Sequence, residues 1–415
     1  MNTQGRNPTD SNNKYGEGAS GSAPTLSEKH WAQPKFFSDN ILIDALIKHS
    51  LSLMPYGMTD FGEVMDVVYQ LNGSDEEAWI NAWAALASRL QDRAEEAERK
   101  GKRVTASTAY LRASTYWRGA LLYFSRFEDK RMCEYAVASS TCYERYINLS
   151  GYPGERIEIP YEHSFLPGYF YRSSHAGEKA PLLIVTPGRD TWAEDTRWVC
   201  EGALQRGIHC ITYDGPGQGF ALRLNNLTFR PDWEKVVTPL IDFALEKFPR
   251  IDASNIALMG LSFGGYLAPR AAAFDKRIKV CITDPGNISW GRQIIAQLER
   301  FKEHALDEIP EQLRNLVRDY AWKHGVPDSI EDVVNALQPY DNASILENVT
   351  CETLVLDGTG EVFHGAKPFY DALQAPKKYL LFDEISTAQS HCQIGGYATA
   401  TEYVFDWLAE RLGCA

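Results

Sequence analysis

The segment Asn255-Ile-Ala-Leu-Met-Gly-Leu-Ser-Phe-Gly-Gly265 decides the fold. Its first half is a short apolar run that is typical of a buried strand, and its second half contains Gly-Leu-Ser-Phe-Gly. The apolar residues 266–274 that follow are long enough for a helix. A strand, a Gly-x-Ser-x-Gly turn and a helix in this order predict a nucleophile elbow, with Ser262 at the tip of a strained turn. The backbone N–H of Phe263 then points into the same space as the Ser262 hydroxyl.

The composition indicates a globular protein that does not bind nucleic acid. The 415 residues carry a formal net charge of −13, which disfavours nucleic acid and anionic membrane surfaces as partners. The N-terminus lacks the apolar core of a secretory signal, and no apolar run approaches transmembrane length, so we expect a cytoplasmic location. The eight cysteines lack metal-ligand spacing, and we expect buried, reduced thiols at positions such as Cys210 and Cys281.

The chain divides into three regions by pattern. Residues 1–35 are rich in Asn, Ser, Gly and Thr, and we predict a disordered tail. Residues 36–150 show helical periodicity without strand-like alternation, which predicts an all-helical cap. Residues 151–415 alternate short apolar strands with helices, which is typical of an α/β protein with a mostly parallel sheet covered on both faces. A helical stretch at 290–340 interrupts the alternation, and we expect it to join the lid.

The strands of this sheet can be placed individually. Residues 156–161 and 166–171 predict an antiparallel pair. The remaining strands are predicted at 181–186, 208–213, 256–259, 279–283, 353–356 and 379–382. Ligands of such sheets bind at the carboxyl ends of the strands, which is where the elbow falls.

A serine hydroxyl is a poor nucleophile at neutral pH, so it needs a histidine that takes its proton and an acid that orients the histidine. Behind an elbow of this kind the chain order is Ser, acid, His. Four histidines follow the serine, and His304 and His324 fall in the helical stretch, where we expect ordinary surface residues. His364 lies in the loop expected to carry the acid. His391 follows the strand at 379–382 in a polar loop, and we predict that it is the base.

Two carboxylates are candidates for the acid. The segment Thr353-Leu-Val-Leu-Asp-Gly-Thr-Gly-Glu-Val-Phe363 combines a strand with the loop that usually carries this group. The common pattern is strand, His-Gly, two residues, Asp, and matching Gly358 to that glycine puts Glu361 in the acid's place. Asp357, at the strand end, is the alternative.

An oxyanion hole needs a second backbone N–H besides that of Phe263. The segment Val185-Thr-Pro-Gly-Arg-Asp-Thr191 follows the first parallel strand and offers this donor through Arg189 or Asp190. A second glycine-rich segment, Asp214-Gly-Pro-Gly-Gln-Gly219, lacks the Lys-Ser/Thr of a phosphate-binding loop. We therefore predict a tight turn that lines the site.

These motifs resemble the α/β-hydrolase superfamily, and the helical cap resembles a narrower group within it. That group includes 2,6-dihydroxypseudooxynicotine hydrolase, esterases related to the fermentation–respiration switch protein, and fungal pigment hydrolases that shorten polyketide chains. The resemblance covers residues 35–415. The 187–189 segment, Pro-Gly-Arg, departs from the usual Gly-Gly-aromatic run. The cap motifs that carry the resemblance are Tyr56-Gly-Met-Thr-Asp-Phe-Gly-Glu63, Ala78-Trp-Ile-Asn-Ala-Trp83 and Tyr110-Leu-Arg-Ala-Ser-Thr-Tyr-Trp-Arg118.

The resemblance implies a serine hydrolase that cleaves a C–C bond next to a ketone, or an ester, in a polyketide-like secondary metabolite. It implies an aromatic or polyketide small molecule as partner and no metal or organic cofactor, and it leaves a homodimer open. Tyr56, Asp60, Tyr116 and Trp117 lie in the cap motifs and are predicted to bind substrate. Two alternatives stay open: acyl transfer or cyclisation with an intramolecular nucleophile on the same residues, and a non-catalytic binding protein of this fold.

Overall fold

The computed structural model describes residues 30–71, 73 and 75–414. Its first part is a block of five helices, which we call the helical block. Asn40 caps the first helix with its side chain, which accepts hydrogen bonds from the N–H groups of Leu42 and Ile43. The block ends at Gly151, whose φ of +77° is the left-handed conformation that glycine adopts at helix ends. The helices are α1 (Ile41–Ser52), α2 (Phe61–Gln70), α3 (Glu76–Arg99), α4 (Arg103–Leu121) and α5 (Arg131–Ser150).

The predicted tail at 1–35 lies mostly outside the described residues, because the description begins at His30. The residues just before α1 form turns that hold on to that helix. Lys48 Nζ donates to the Gln33 carbonyl at 2.7 Å, and the Asp44 carboxylate accepts hydrogen bonds from the N–H groups of Lys35 and Phe37. Gln33 and Lys35, within the predicted tail, therefore contact α1.

The second part of the chain forms an eight-stranded sheet in the order β1-β2-β4-β3-β5-β6-β7-β8. β2 is antiparallel to both β1 and β4, and the other neighbouring strands pair in parallel. The antiparallel pair and the parallel strands fall where the sequence predicts them. The strands are β1 (Gly154–Tyr161), β2 (Ser164–Tyr171), β3 (Ala180–Thr186), β4 (His209–Tyr213), β5 (Ile251–Leu261), β6 (Ile278–Asp284), β7 (Glu352–Gly358) and β8 (Lys377–Phe382).

Helices cover both faces of this sheet, which confirms the predicted α/β-hydrolase fold. Alternate residues of β5 contribute to different cores. Ala257 and Met259 pack with the helical block and with the helices at 197–204 and 397–412, while Ile256 and Leu258 pack with the helices at 234–247 and 263–274. No described helix has the length and apolar character needed to cross a membrane. The helices after α5 are α6 (Arg197–Leu204), α7 (Gly219–Asn225), α8 (Glu234–Lys247), α9 (Phe263–Phe274), α10 (Arg292–Leu298), α11 (Glu311–His324), α12 (Ile330–Leu337), α13 (Ala366–Ala372) and α14 (Tyr397–Leu412).

The helical block contacts loops that follow the carboxyl ends of strands. Arg118 in α4 donates from Nε to Asp195, in the loop after β3, at 2.7 Å. Ser52 at the end of α1 accepts a hydrogen bond from the N–H of Gly395, in the loop after β8, at 2.7 Å. The block thus lies over the edge of the sheet where the sequence places the nucleophile.

Helices α10, α11 and α12 form the predicted insertion at 290–340 and share a small apolar core of their own. The insertion also contacts the helical block. The rings of Phe127, in the loop before α5, and Trp322, in α11, stack with centroids 4.4 Å apart and planes 6° apart. The helical block and the insertion are therefore in direct contact.

We predict that Asp195→Ala lowers the free energy of unfolding by about 3–5 kcal/mol, because it removes the carboxylate that pairs with the buried Arg118 guanidinium. The Arg118 side chain is only 1% exposed and that of Asp195 6%. Urea denaturation followed by circular dichroism measures the change. Arg145→Ala is the matched control, because the side chains of Arg145 and its partner Glu98 are 56% and 31% exposed and such a pair contributes at most about 1 kcal/mol. Equal effects of the two substitutions would contradict the prediction.

Candidate active site

The Gly-Leu-Ser-Phe-Gly turn forms the elbow that the sequence predicts. β5 ends at Leu261, α9 begins at Phe263, and Ser262 between them has φ +53° and ψ −118°, a strained conformation for a residue other than glycine. A Cβ at Gly260 would lie 1.9 Å from the carbonyl oxygen of Gly264, and a Cβ at Gly264 would lie 2.2 Å from that of Thr186. Both positions therefore require glycine, because the backbones touch there.

Ser262, His391 and Glu361 form a hydrogen-bonded chain at the carboxyl end of the sheet. His391 Nε2 lies 2.9 Å from Ser262 Oγ, and His391 Nδ1 lies 2.7 Å from Glu361 Oε2. The second oxygen of Glu361 accepts a hydrogen bond from the backbone N–H of Phe363 at 3.0 Å. In the neutral imidazole, Nδ1–H donates to the carboxylate, so the lone pair of Nε2 faces the hydroxyl. This arrangement can remove a proton from Ser262.

The structure places Asp357, the alternative acid, elsewhere. Its carboxylate accepts hydrogen bonds from the hydroxyl of Tyr379 and from the N–H of Gly358, and no described contact joins it to His391. The reason is position, because Asp357 is still within β7 whereas Glu361 follows the tight turn after the strand. Of the two candidates, the structure brings only Glu361 to the histidine.

Glu361 and His391 shift each other's pKa. Burial alone lowers the pKa of His391, but the negative charge and hydrogen bond of Glu361, with the charge of Asp284, outweigh it and raise the pKa. Burial raises the pKa of Glu361, yet the charge and hydrogen bond of His391 and two backbone N–H groups outweigh this and lower it. A histidine with a raised pKa beside an ionised carboxylate is a stronger base than an isolated one.

The 187–190 loop lies directly against the elbow. A Cβ at Gly188 would be 2.9 Å from the Cβ of Ser262. Phe263 is the first residue of α9, so its N–H has no acceptor within the helix and is free for a ligand. The loop therefore lies beside Ser262 and the N–H of Phe263, close to where an oxyanion would need donors.

Two anchors hold this loop, and the sequence predicts neither. The buried side-chain amide of Gln218 donates to the carbonyl oxygens of Pro187 and Gly188, at 2.6 and 3.1 Å. The sequence predicts the 214–219 segment as a tight turn that lines the site. The structure adds that its Gln218 side chain supports the loop after β3.

The second anchor is a charged cluster between the loop and α11. The Arg189 guanidinium pairs with Asp319 and stacks on the Tyr320 ring, 3.8 Å from its centroid. The Asp190 carboxylate pairs with Lys323, whose ammonium group is also 3.0 Å from Asp319. The side chains of Arg189 and Lys323 are 9% and 4% exposed, so these charges are largely removed from water. The two sides of this cluster are more than a hundred positions apart in the sequence, so no local sequence motif predicts it.

The predicted substrate-binding residues of the helical block have other partners. Tyr116 has no exposed surface, and its hydroxyl donates to Glu63 and accepts from the N–H of Asp60. Tyr116 is therefore part of the core of the block, which corrects its assignment to the substrate wall. Asp60 is the exposed N-cap of α2, and Trp117 donates from Nε1 to Gln91 at 2.9 Å. The carbonyl of Tyr56 accepts from Arg197, so Tyr56 links the block to α6.

The sequence predicts that His324 is an ordinary surface residue, and this prediction is wrong. Its ring packs against those of Phe229, Tyr320 and Tyr340, with centroids 5.1 to 5.9 Å away. Burial, together with the positive charges of Arg189 and Lys323, lowers the pKa of His324 to about 3. The imidazole is therefore neutral and packs among aromatic rings at the end of α11.

The mostly parallel sheet, the elbow and the serine–histidine–glutamate chain at the strand ends define an α/β-hydrolase. A model of the Esterase FrsA-like family matches residues 59–304, which is more than half of the chain. Hydrolase acrC of Aspergillus aculeatus is 32% identical over 406 residues, covering 87% of this chain and 94% of that protein. The 20-hydroxy-prefusarin hydrolase FUS2 of Gibberella moniliformis is 29% identical, covering 86% and 93%. The chain belongs to the FrsA-like esterase family.

Solved structures show the same fold over almost the whole chain. The 2,6-dihydroxy-pseudo-oxynicotine hydrolase superposes with a TM-score of 0.70 at 20% identity, covering 87% of this chain and 95% of that one. AbyA5 superposes with a TM-score of 0.64 at 17% identity, covering 88% and 94%. The predicted resemblance to this group is confirmed, and the protein is a hydrolase related to fungal hydrolases.

Proposed function

We propose that the protein uses Ser262 as nucleophile to hydrolyse a C–C bond next to a ketone, or an ester, in a polyketide-like small molecule. The observation that carries this is the pair of hydrogen bonds at His391, whose Nε2 accepts from the Ser262 hydroxyl and whose Nδ1–H donates to Glu361. Relatives named as hydrolases of 20-hydroxy-prefusarin and of 2,6-dihydroxy-pseudo-oxynicotine support a small organic substrate.

In the first half of the reaction, His391 Nε2 takes the proton of Ser262, and the serine oxygen attacks the substrate carbonyl. The negative charge that develops on the carbonyl oxygen is stabilised by the N–H of Phe263 and by an N–H of Arg189 or Asp190. Glu361 holds the Nδ1–H of His391 and stabilises the imidazolium. These residues supply a nucleophile, a base and two donors without a cofactor.

In the second half, His391 returns the proton to the departing group. For an ester this group is an alkoxide, and for a C–C bond it is a carbanion stabilised as an enolate or by an electron-rich ring. Water, deprotonated by His391, then attacks the acyl-enzyme and releases a carboxylic acid, and Ser262 regains its proton.

Two measurements test this function. Wild-type protein should react with a fluorophosphonate probe at Ser262, and Ser262→Ala should not react. Turnover of candidate ketones and esters in ¹⁸O-labelled water should place one label in the carboxylic acid product, because water cleaves the acyl-enzyme. Unlabelled product would indicate transfer to another nucleophile, and absence of probe reaction in folded wild-type protein would exclude the serine mechanism.

We predict that kcat/KM falls as the pH drops through the raised pKa of His391, above its ordinary value near 6.5, because the protonated imidazole cannot accept the serine proton. Glu361 raises this pKa, so Glu361→Gln should move the acid limb to lower pH. A profile of kcat/KM against pH for both proteins measures the shift. A limb that stays in place, or moves to higher pH, would contradict the assigned pairing.

A further inference from the structure

Asp284 is a buried carboxyl beside the proposed reaction centre, and the proposed reaction does not use it. It is the last residue of β6 and lies opposite Leu261 of β5 in the register of the two strands. Asp284 is only 1% exposed. Its Oδ1 accepts a hydrogen bond from Nε2 of the buried Gln393 at 2.9 Å, and its Oδ2 has no hydrogen-bond partner among the described residues. A buried carboxyl with an unpaired oxygen costs stability, so packing alone does not explain this residue.

Asp284 connects the nucleophile to the segment that carries the histidine. Its backbone carbonyl accepts hydrogen bonds from the N–H of Ser262 at 2.5 Å and from the Cys392 thiol at 3.2 Å, while its carboxyl holds Gln393. Cys392 and Gln393 have φ +49° and +54°, a left-handed conformation that is unfavourable for residues other than glycine. Bonds to one residue of β6 therefore hold the strained turn that directly follows His391 as well as the backbone of the serine.

The charge of Asp284 also acts on His391, whose two ring nitrogens are already bonded to Ser262 and Glu361. Burial lowers the pKa of His391, and the charges of Glu361 and, less strongly, Asp284 raise it. Burial raises the pKa of Asp284 to about 7, although the hydrogen bond from Gln393 and the charge of His391 oppose this rise. The ionised carboxyl and the imidazolium therefore stabilise each other.

The other titratable groups that act on Asp284 cannot supply a positive charge. They belong to β7, the loop after it, the loop after β8 and the start of α14, and they are Asp357, Glu361, Cys392 and Tyr397. Burial raises the pKa of Cys392 and that of Tyr397 well above their usual values, so both groups are neutral. Among these groups, only the imidazolium of His391 gives an ionised Asp284 a partner of opposite charge.

We propose that Asp284 is a positioning residue for His391. Through Gln393 it fixes the turn after the histidine, and its carboxylate favours the imidazolium that forms when the serine proton is transferred. This inference rests on the proposed function and adds a second carboxylate to it. Glu361 orients the imidazole by a direct hydrogen bond, whereas Asp284 acts on the backbone of the histidine loop and through its charge.

The experiment measures the second-order rate constant with which a fluorophosphonate probe modifies Ser262, as a function of pH. The serine oxygen bonds to phosphorus, the P–F bond breaks, fluoride leaves, and the serine proton passes to His391. The rate constant therefore reports how well the histidine accepts this proton. Asp284→Asn removes the charge, keeps the size of the side chain and retains an oxygen that can accept from Gln393.

Asp275→Asn is the matched control. Asp275 is also a buried aspartate, but it precedes the opposite end of β6 and accepts hydrogen bonds from Arg277 and Thr238. Its substitution removes a buried carboxylate from the same strand and helix pair without touching the histidine loop.

Asp284→Asn should lower the rate constant about tenfold at pH values well above the pKa of Asp284, which is about 7, because a tenfold change corresponds to one pKa unit of interaction. The difference from wild type should shrink well below that pKa, because protonated Asp284 is then uncharged like the asparagine. Asp275→Asn should keep the wild-type rate constant at every pH. A merely structural role of Asp284 would give a loss that does not depend on pH.

Gln393→Leu tests the hydrogen bond separately from the charge. It removes the donor and leaves the Asp284 carboxylate, so the turn after His391 loses its side-chain link to β6. We expect the rate constant to fall about tenfold, because a small displacement of a catalytic group slows the reaction strongly. Circular dichroism establishes that each variant is folded.

The outcomes separate the two proposals. A loss in Asp284→Asn that grows with pH, with an unchanged Asp275→Asn, supports the role of Asp284. A wild-type rate constant in Asp284→Asn, or a loss that is the same at every pH, overturns this role and leaves the proposed function standing. If Asp284→Asn does not fold, a slower Gln393→Leu supports the role and a wild-type rate constant overturns it. If the probe does not modify Ser262 in folded wild-type protein, the proposed function fails and the role of Asp284 fails with it.

Discussion

Ser262→Ala and His391→Ala are each expected to lower kcat by about 10⁵- to 10⁶-fold, with the protein still folded. The reason is that the hydroxyl and the imidazole, 2.9 Å apart, act in one step, so that either loss removes the same covalent route. Steady-state turnover of an accepted ketone or ester, with circular dichroism as the folding control, measures the effect.

The double variant should be barely slower than either single variant, because residues that act as a unit have non-additive effects. Multiplicative losses would show that Ser262 and His391 contribute separately. Full activity of Ser262→Ala would refute the serine mechanism.

Glu361→Gln is expected to lower kcat by about 10³- to 10⁴-fold. The substitution keeps the size of the side chain but removes the charge that stabilises the imidazolium, and an amide N–H turned toward Nδ1 would favour the wrong tautomer. The comparison is kcat of Glu361→Gln against kcat of Asp357→Asn under the same conditions.

Asp357→Asn is the matched control, because Asp357 lies on the same strand-and-loop segment but contacts Tyr379. We expect its loss to be less than about tenfold, as for a substitution outside the hydrogen-bonded chain. A larger loss in Asp357→Asn than in Glu361→Gln would transfer the role of the acid to Asp357.

Local patterns predicted the elbow and the sheet because their physical causes are local. Gly260 and Gly264 are required by backbone contacts only a few residues away in the chain or on the neighbouring strand, and such contacts leave a readable motif. The alternation of apolar strands and helices likewise predicts the parallel sheet. The choice between Glu361 and Asp357 needed the structure, since a turn of four residues decides which carboxylate reaches His391.

The substrate side of the site depends on contacts between distant segments, and these left no readable pattern. Tyr116 and Trp290 are both aromatic residues in or beside helices. Only the assembled structure shows that Tyr116 lies in the core of the helical block and that Trp290 packs against Phe263 at the elbow. The same holds for His324, whose burial depends on rings from three other positions. Aromatic side chains at helical spacing predict burial, but the spacing does not show which other segment they pack against.

The cluster of Arg189, Asp190, Asp319, Tyr320 and Lys323 couples the 187–190 loop to α11 of the insertion. Both charged residues of the 187–190 loop are paired with α11, so we expect the loop and the helix to move together. Swinging α11 outward would take Arg189 from Asp319 and Lys323 from Asp190. Both cations are largely buried, so their separation from these carboxylates is costly. The movement would also displace the N–H groups proposed to stabilise the oxyanion. A movement of α11 is therefore expected to move the 187–190 loop beside Ser262 as well. We therefore expect sequence changes that loosen α11 to lower kcat as well, because they would shift the loop proposed to carry an oxyanion donor.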